Sequence, residues 1–186
     1  MPIFGVTASS NMSTKLTDFY QIATTTLGSA QSSIEFTGIP STYTHLQIRG
    51  IARNSVASTS ADWVRCQFNS DTGTNYSWHY LFGNGSAASS SAGTTQSFML
   101  LGWALNASST SNSFGAQVID ILDYADTNKY KTVRSILGYE QNTSDGGVNL
   151  NSGNWRSTSA ITSIKLYPAS GNFNQYSSFQ LYGVKA

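Results

Sequence analysis

The amino-acid sequence predicts an all-β protein: an antiparallel β-sandwich, jelly-roll-like in topology, with an extended N-terminal arm. Three observations predict this fold. Only 10% of the 186 residues are charged, against about 25% in typical soluble domains, so the straight-chain residues that stabilise surface helices are scarce. β-Branched and aromatic residues recur in short runs along the chain. Clusters of Gly, Asn, Ser and Pro separate these runs into roughly eight to ten strands, which is typical of sandwiches and jelly rolls.

The chain is predicted to consist of an N-terminal arm, residues 1–17, and one sandwich domain, residues 18–186. A chain of this length can bury one sizeable core but is short for two. The arm is rich in Ser and Thr, and it is too polar to form a core. We expect it to become ordered on docking to a partner, and its candidate contact residues are Ile3, Phe4, Val6, Met12 and Leu16.

Alternation of apolar and polar residues predicts strands with one dry and one hydrated face. Four such segments are 33–36, 45–51, 63–68 and 161–167. In the third segment, Val64, Cys66 and Phe68 are expected to point into the core. Residues 131–138 and 178–184 are predicted to be further strands.

Two segments, 97–105 and 115–124, are more continuously apolar, which predicts central strands covered on both faces. By contrast, residues 83–96 and 141–153 are poor in apolar side chains and are predicted to be long surface loops. The side chains expected to face a ligand are Asn84 and Asn149, within these segments, and Trp155, just after the second.

Charge and hydropathy argue against several classes of partner. The net charge is +1 and the ten basic residues are scattered, so we expect neither nucleic acid nor anionic lipid as a partner. No apolar run approaches the roughly 20 residues of a membrane helix, and the N-terminus lacks the pattern of a secretory signal. The protein is therefore expected to be made in the cytoplasm.

The sequence offers little for catalysis, and we expect no enzyme activity. Only His45 and His79 could serve as an imidazole base. Cys66 lies on the inward phase of its strand, and as a lone cysteine it excludes an intramolecular disulfide. The triplet Asp71-Thr72-Gly73 resembles half of an aspartic-protease site, but one copy is present. A tight turn with Gly73 at positive φ is the better interpretation.

Metal ions and cofactors are not expected either. The first oxygen-rich spacing consists of Asn69, Asp71, Gly73 and Asn75, and the second of Asp120, Asp123 and Asp126. Neither set includes the bidentate Glu of a standard calcium loop. Turn chemistry explains both sets.

An aromatic alternation, Tyr76, Trp78 and Tyr80, predicts three rings on one face of a strand. Exposed rings of this kind can stack on saccharides. Burial of at least two of the three in the core is the interpretation we favour.

Three segments of the chain resemble structural proteins in the virions of tailed bacteriophages, of the marine and cyanobacterial type. Residues 33–53 read SIEFTGIPSTYTHLQIRGIAR, residues 68–80 read FNSDTGTNYSWHY and residues 171–185 read GNFNQYSSFQLYGVK. The resemblance covers most of the chain from about residue 20. It implies a component of the phage particle, and it supplies no catalytic residues.

The resemblance and the size of the chain lead to two hypotheses. In the first, the protein is a capsid decoration, or cement, protein whose arm docks on the major capsid protein. In the second, it is a tail-fibre or appendage domain that binds a host-surface glycan through its loops. A depolymerising enzyme is a third class, but it needs paired carboxylates, and Glu35 and Glu140 have no local partner of this kind.

In either location the protein is expected on the outer surface of the particle, after assembly in the host cytoplasm. It is also expected to be a homo-oligomer, with a trimer favoured because it suits a capsid three-fold position or a fibre.

Overall fold

The computed structural model describes residues 18–57 and 60–185. The predicted arm, residues 1–17, lies outside this part, and so do its five candidate contact residues. Twelve strands are found in the described residues. In chain order they are β1 (Phe19–Thr26), β2 (Ile34–Phe36), β3 (His45–Ala52), β4 (Ala61–Phe68), β5 (Tyr76–Gly83), β6 (Ala88–Gln96), β7 (Met99–Leu105), β8 (Gly115–Leu122), β9 (Lys131–Glu140), β10 (Gly146–Trp155), β11 (Ile164–Pro168) and β12 (Ser178–Val184).

The strands form two antiparallel sheets, which confirms the predicted all-β sandwich. The larger sheet has eight strands in the order β1-β12-β3-β8-β9-β10-β5-β6, and the smaller has four in the order β2-β11-β4-β7. In the part of the chain that the structure describes, no helix is long and apolar enough to cross a bilayer.

The topology is that of a jelly roll with two inserted hairpins. When the hairpins β5–β6 and β9–β10 are set aside, the sheets read β1-β12-β3-β8 and β2-β11-β4-β7. This is the double Greek key of an eight-stranded jelly roll. The hairpin β9–β10 pairs with β8, and β5 pairs with β10. The two insertions therefore widen one sheet from four strands to eight.

The core lies between the sheets and follows the alternation that the sequence predicts. Val64, Cys66 and Phe68 are each at most 1% exposed, so their predicted inward orientation is confirmed. β7 is buried along almost its whole length because it packs across β8, β9 and β10. The predicted burial of this segment is therefore confirmed, but its predicted central position is wrong, because β7 is an edge strand of the four-stranded sheet.

The corresponding prediction is wrong for β8. Its residues alternate between buried and accessible positions, and Ala116 and Val118 are exposed. β8 is central in its sheet, but the smaller sheet covers only its inner face. An apolar run by itself does not distinguish these two situations.

A buried arginine organises the loop between β7 and β8. The Arg53 side chain is only 8% exposed, and its guanidinium donates hydrogen bonds to four backbone carbonyls. These belong to Thr110 (2.8 Å), Ser113 (2.8 Å), Ala107 (3.1 Å) and Ser109 (2.7 Å). One planar, five-donor group therefore replaces the backbone pairing that this irregular segment lacks.

A buried lysine plays a similar part at the start of β9. The Lys131 side chain is fully buried, and burial lowers the pKa of its ammonium group. The group donates to the carbonyl oxygens of Asp126, Lys129 (2.8 Å) and Thr158 (3.2 Å). It thereby joins the β8–β9 loop to the segment that follows β10.

We predict that Arg53→Lys lowers the free energy of unfolding by about 1–3 kcal/mol. A lysine cannot reproduce four hydrogen bonds from one planar group, so buried carbonyls lose their partners. Urea unfolding followed by tryptophan fluorescence measures the change. Arg49→Lys is the matched control, because Arg49 is exposed, and it should change stability by less than about 0.5 kcal/mol. Equal effects of the two substitutions would contradict the role given to Arg53.

Candidate functional site

The outer face of the eight-stranded sheet carries the most unusual surface of the described chain. Six aliphatic side chains on this face are between 40% and 64% exposed. We call them the apolar band, and they are Ile51, Leu81, Val118, Ile136, Val148 and Leu150. Single exposed aliphatic residues are common, but a continuous group of them marks an interaction surface.

Strand pairing makes the band continuous. Val118 pairs with Ile136, Ile136 with Leu150 and Leu150 with Leu81, so four apolar residues form one row across β8, β9, β10 and β5. Directly paired side chains on one face lie about 5 Å apart. The row is therefore a single apolar surface.

A second row runs beside the first and belongs to the same face. Ile51 pairs with Ala116, Ala116 with Gly138 and Gly138 with Val148. Small residues occupy the middle of this row, so the surface is lower there than at its two ends.

β10 contributes to the band because its pattern is inverted. Its polar residues Asn149 and Asn151 point inward and are each 2% exposed, whereas Val148 and Leu150 point to solvent. A strand of a hydrated sandwich normally has the opposite arrangement.

Two glycines determine this inversion. A Cβ atom on Gly153 would lie 2.3 Å from Sδ of Met99, and one on Gly147 would lie 2.4 Å from the Phe82 ring. Both positions must therefore be glycine wherever β10 faces these neighbours. Side chains alternate strictly along a strand. With Gly147 and Gly153 facing inward, Asn149 and Asn151 must also face inward, and Val148 and Leu150 must face outward.

The inverted strand buries amides in the core. Asn151 donates to the Leu101 carbonyl (3.0 Å) and to Oγ of Ser135 (3.2 Å). The side-chain amides of Asn149 and Gln117 have no hydrogen-bond partner within the described part of the chain. Buried unpaired amides lower stability, so this sheet is not arranged for stability alone.

A polar row borders the band toward the other end of the strands. Arg134 donates from Nε to Oδ2 of Asp120 (3.0 Å), and Gln47 donates to Oδ1 of the same carboxylate (2.8 Å). Arg49 donates to Oε1 of Gln47 (2.8 Å). Asp120 and Arg134 offset each other within this row, whereas Arg49 belongs to the neighbouring row of Val118.

Two open depressions lie on this face, on either side of the paired residues Ile136 and Leu150. The first, of about 490 Å³, is lined by residues that include Ile51, Ala116 and Ile136. The second, of about 770 Å³, is lined by residues that include Leu81 and Leu150. The middle of the face is therefore a ridge with a hollow on each side.

The structure corrects both predicted loops. Most of 83–96 is strand β6, and most of 141–153 belongs to β10. Both segments lack an apolar pattern, and they are strands because β5 and β9 supply their pairing partners. Low apolar content was therefore misleading in these two segments.

The three predicted ligand-facing residues do not come together. Asn84 lies in the β5–β6 turn, where it is exposed and its Oδ1 accepts bonds from the N–H groups of Ser86 (3.0 Å) and Ala87 (2.8 Å). Asn149 and Trp155 are buried in β10, at 2% exposure each. Their prediction as loop residues facing a ligand is therefore wrong, because β10 turns both of them inward.

Asp71 has a structural role in a turn. Its carboxylate accepts hydrogen bonds from Trp155 Nε1 (2.7 Å), Asn75 Nδ2 (2.9 Å) and the Gly73 N–H (2.8 Å). Burial alone raises the pKa of this carboxyl, but the three hydrogen bonds outweigh it and lower the pKa below its usual value. The carboxylate thereby attaches the turn to the end of β10.

The predicted positive φ at Gly73 is wrong. The left-handed residues of this segment are Asn69 (φ 50°) and Ser70 (φ 57°). The Asp71 N–H donates to the Phe68 carbonyl across them (2.9 Å), which forms a type I′ turn. The turn therefore comes earlier than the sequence suggested.

The oxygen-rich spacings do not converge on a metal site. Asp120 bonds Arg134, whereas Asp123 and Asp126 both meet Lys129, at 2.7 and 3.4 Å. Within residues 18–57 and 60–185, no group of three or more His, Cys, Asp and Glu side chains is placed to hold a metal ion.

The candidate bases and nucleophile are separate from one another. Nδ1 of His45 accepts a hydrogen bond from the Asp123 N–H (3.0 Å), and His79 is exposed on β5. Cys66 is 1% exposed, and burial raises the pKa of its thiol. A thiol of this kind is a packing group rather than a nucleophile.

The aromatic alternation on β5 behaves largely as predicted. Tyr76 is fully buried, and Trp78 packs against the main core. Tyr80 is half-buried, with its ring 4.8 Å from that of Trp63. These contacts fasten the inserted hairpin to the smaller sheet.

The band was not predicted from the sequence. The one signal for it is the phase of β10, where Asn and Gly share one face while Val148 and Leu150 share the other. Comparison with known proteins finds no matching family model, no matching curated protein and no matching solved structure.

We predict that Gly153→Ala destabilises the protein by about 1–3 kcal/mol. The added methyl group would overlap Sδ and Cγ of Met99, which is fully buried, so this side chain would have to shift within a packed core. Thermal unfolding measures the change. Gly83→Ala is the matched control on β5, since its Cβ would make only an ordinary contact at 3.9 Å with Val148. A neutral Gly153→Ala would show that close packing at Gly153 does not set the phase of β10.

We predict that Asp71→Asn costs about 1–3 kcal/mol at neutral pH, since one oxygen that accepts two hydrogen bonds is altered. The folded-state pKa of Asp71 lies below its unfolded value. The contribution of the Asp71 carboxylate to the free energy of unfolding is therefore complete at pH values above the pKa of the unfolded state. It is lost as the pH falls through the pKa of the folded state. The difference in free energy of unfolding between the wild type and Asp71→Asn should therefore become smaller at acidic pH. Urea unfolding at a series of pH values measures it. The control is Glu35→Gln, which alters an exposed ion pair with Lys165 and should have little effect.

Proposed function

We propose that this chain is a non-catalytic structural protein of a tailed-phage particle, and specifically a capsid decoration protein held on the shell by residues 1–17. The resemblance of residues 33–53, 68–80 and 171–185 to phage structural proteins is the first support. The jelly-roll topology is the second, because this architecture recurs in viral capsid proteins.

The observation that carries the non-catalytic part of the proposal is the use of the reactive side chains. Arg53 and Lys131 bind backbone carbonyls of loops, and Asp71 fastens a turn. Each of these groups is used to stabilise the structure. In an active site, by contrast, such a group would face the substrate.

The position of β1 supports the proposed attachment. β1 is an edge strand of the eight-stranded sheet, and residues 1–17 are joined directly to it. A segment that begins at a sheet edge can reach a neighbouring protein without crossing the domain. Its apolar side chains, Phe4 among them, would then provide the contact with the major capsid protein.

A host-glycan-binding appendage domain is the second candidate. The larger depression on the outer face supports it, because His79, Arg134 and Ser152 line this hollow and provide the donors and acceptors that saccharides require. The burial of Asn149 and Trp155 removes two of the three residues first expected to bind glycan. The decoration role is therefore the better supported of the two.

We predict that cryo-electron microscopy of the purified particle locates this chain on the outer surface of the head. Capsids that lack it should regain it on addition of the purified full-length chain, and Phe4→Asp should weaken this binding at least about tenfold, since it replaces a proposed apolar contact with a charge. Tyr176→Asp is the control, an exposed aromatic residue far along the chain.

Density confined to the tail would contradict the decoration role. Binding of the purified chain on a glycan array, together with a tail location, would establish the second candidate.

A further inference from the structure

We propose that the outer face of the eight-stranded sheet is the interface with a second copy of this chain, in a two-fold symmetric dimer. The inference goes beyond the proposed function and does not depend on it, since it concerns the isolated protein. It begins from the apolar band, which no other part of the described chain covers, and from the inverted β10 that produces it.

The size of the face suits a stable dimer. Seven strand spacings of about 4.8 Å make it about 34 Å wide, and eight residues at about 3.3 Å make it about 26 Å long. The resulting area, roughly 900 Å², is close to the roughly 800 Å² that each partner buries in a standard interface. Sheets also pack readily face to face, about 10 Å apart.

The order of the strands selects the axis. β8 and β9 are the fourth and fifth of the eight strands, so an axis parallel to the strands and midway between these two places the centres of the two faces opposite each other. This axis exchanges β8 with β9 and β3 with β10. It also keeps each cross-strand row opposite the same row of the second copy.

The residues closest to this axis match in chemistry. Val118 of one copy lies opposite Ile136 of the other, and Ile51 lies opposite Val148. The small residues Ala116 and Gly138 also face each other, and they leave room for close approach beside the axis. Apolar side chains therefore meet close to the axis in both rows. Farther from it in the first row, Leu150 lies opposite Arg49 and Leu81 opposite Gln180, so the apolar stem of Arg49 covers Leu150.

The charges match as well. Asp120 and Arg134 are paired across β8 and β9, so the axis places Asp120 of one copy opposite Arg134 of the other, and this contact occurs twice. Opposite charges on facing rows favour this register over a shifted one. A strongly acidic or basic partner would find no matching field on a face that carries both signs.

The relief of the face fits the same arrangement. The ridge at Ile136 and Leu150 lies on β9 and β10, and the axis places it over β8 and β3 of the second copy. These are the strands that carry the depression lined by Ile51 and Ala116. The ridge of each copy therefore lies against Val118 and Arg49 of the other, which line one side of this depression.

Sedimentation equilibrium of the purified full-length chain tests the proposal. The expected mass is that of a dimer, in place of the trimer favoured by the sequence. Ile136→Glu should raise the dissociation constant at least about 30-fold, the effect of an interface hot spot. Tyr176→Glu is the matched control and should leave the mass unchanged, because Tyr176 is exposed outside the band. Far-UV circular dichroism checks that both variants are folded.

A charge exchange tests the axis itself. Asp120→Arg and Arg134→Asp each place like charges opposite one another in a homodimer, so each variant alone should dimerise weakly. In an equimolar mixture, Arg at 120 meets Asp at 134 of the other variant, and native mass spectrometry should show mainly the mixed dimer. Within each chain, the ion pair between Asp120 and Arg134 (3.0 Å) is lost in both variants. Recovery of dimerisation in the mixture can therefore come only from contacts between the two copies.

Three results would overturn the proposal. The first is a monomeric wild type at about 100 μM, a concentration far above the dissociation constants of standard interfaces. The second is a trimeric wild type. The third is a dimer that neither Ile136→Glu nor the charge variants weaken. Each of these results leaves the head or tail location untouched, so the failure of this inference is distinguishable from failure of the proposed function.

Discussion

The close contact of β10 with the core is the constraint on which the rest of the surface depends. Gly153 lies against Met99 and Gly147 against Phe82, with no space for a Cβ atom at either position. The alternation of a strand then allows one phase for the residues between them. Two amides enter the core and two aliphatic side chains leave it. The packing of the interior thereby determines the chemistry of the opposite face.

Buried polar groups stabilise the irregular segments of the molecule, whereas the proposed interaction surfaces are on its exterior. Arg53 and Lys131 replace missing backbone pairing in loops, and Asp71 fastens a turn to the end of a strand. These interactions let the jelly roll accept two inserted hairpins and long connections. The insertions provide four of the eight strands of the outer face. The two inserted hairpins therefore both enlarge the sheet and provide much of the proposed interface.

The sequence predicted well the features that depend on local pattern. The all-β class, the inward phase of Cys66 and the packing of Tyr76 follow from composition and alternation, which neighbouring residues decide. The prediction failed for β6 and β10, whose Ser-, Gly- and Asn-rich residues have weak strand propensity. Pairing with β5 and β9 overrides that propensity. Arg53 was missed because its four carbonyl partners follow it by more than 50 residues.

The sequence by itself determined the class of fold and the pattern of most core strands, because these depend on periodicity along the chain. Tertiary structure alone decided which strands are neighbours, and hence that Val118, Ile136, Leu150 and Leu81 form one row. It also decided which face of that sheet stays open. The physical reason is that a hydrogen-bonded register joins residues distant in sequence, and no local pattern records which distant strand supplies the partner.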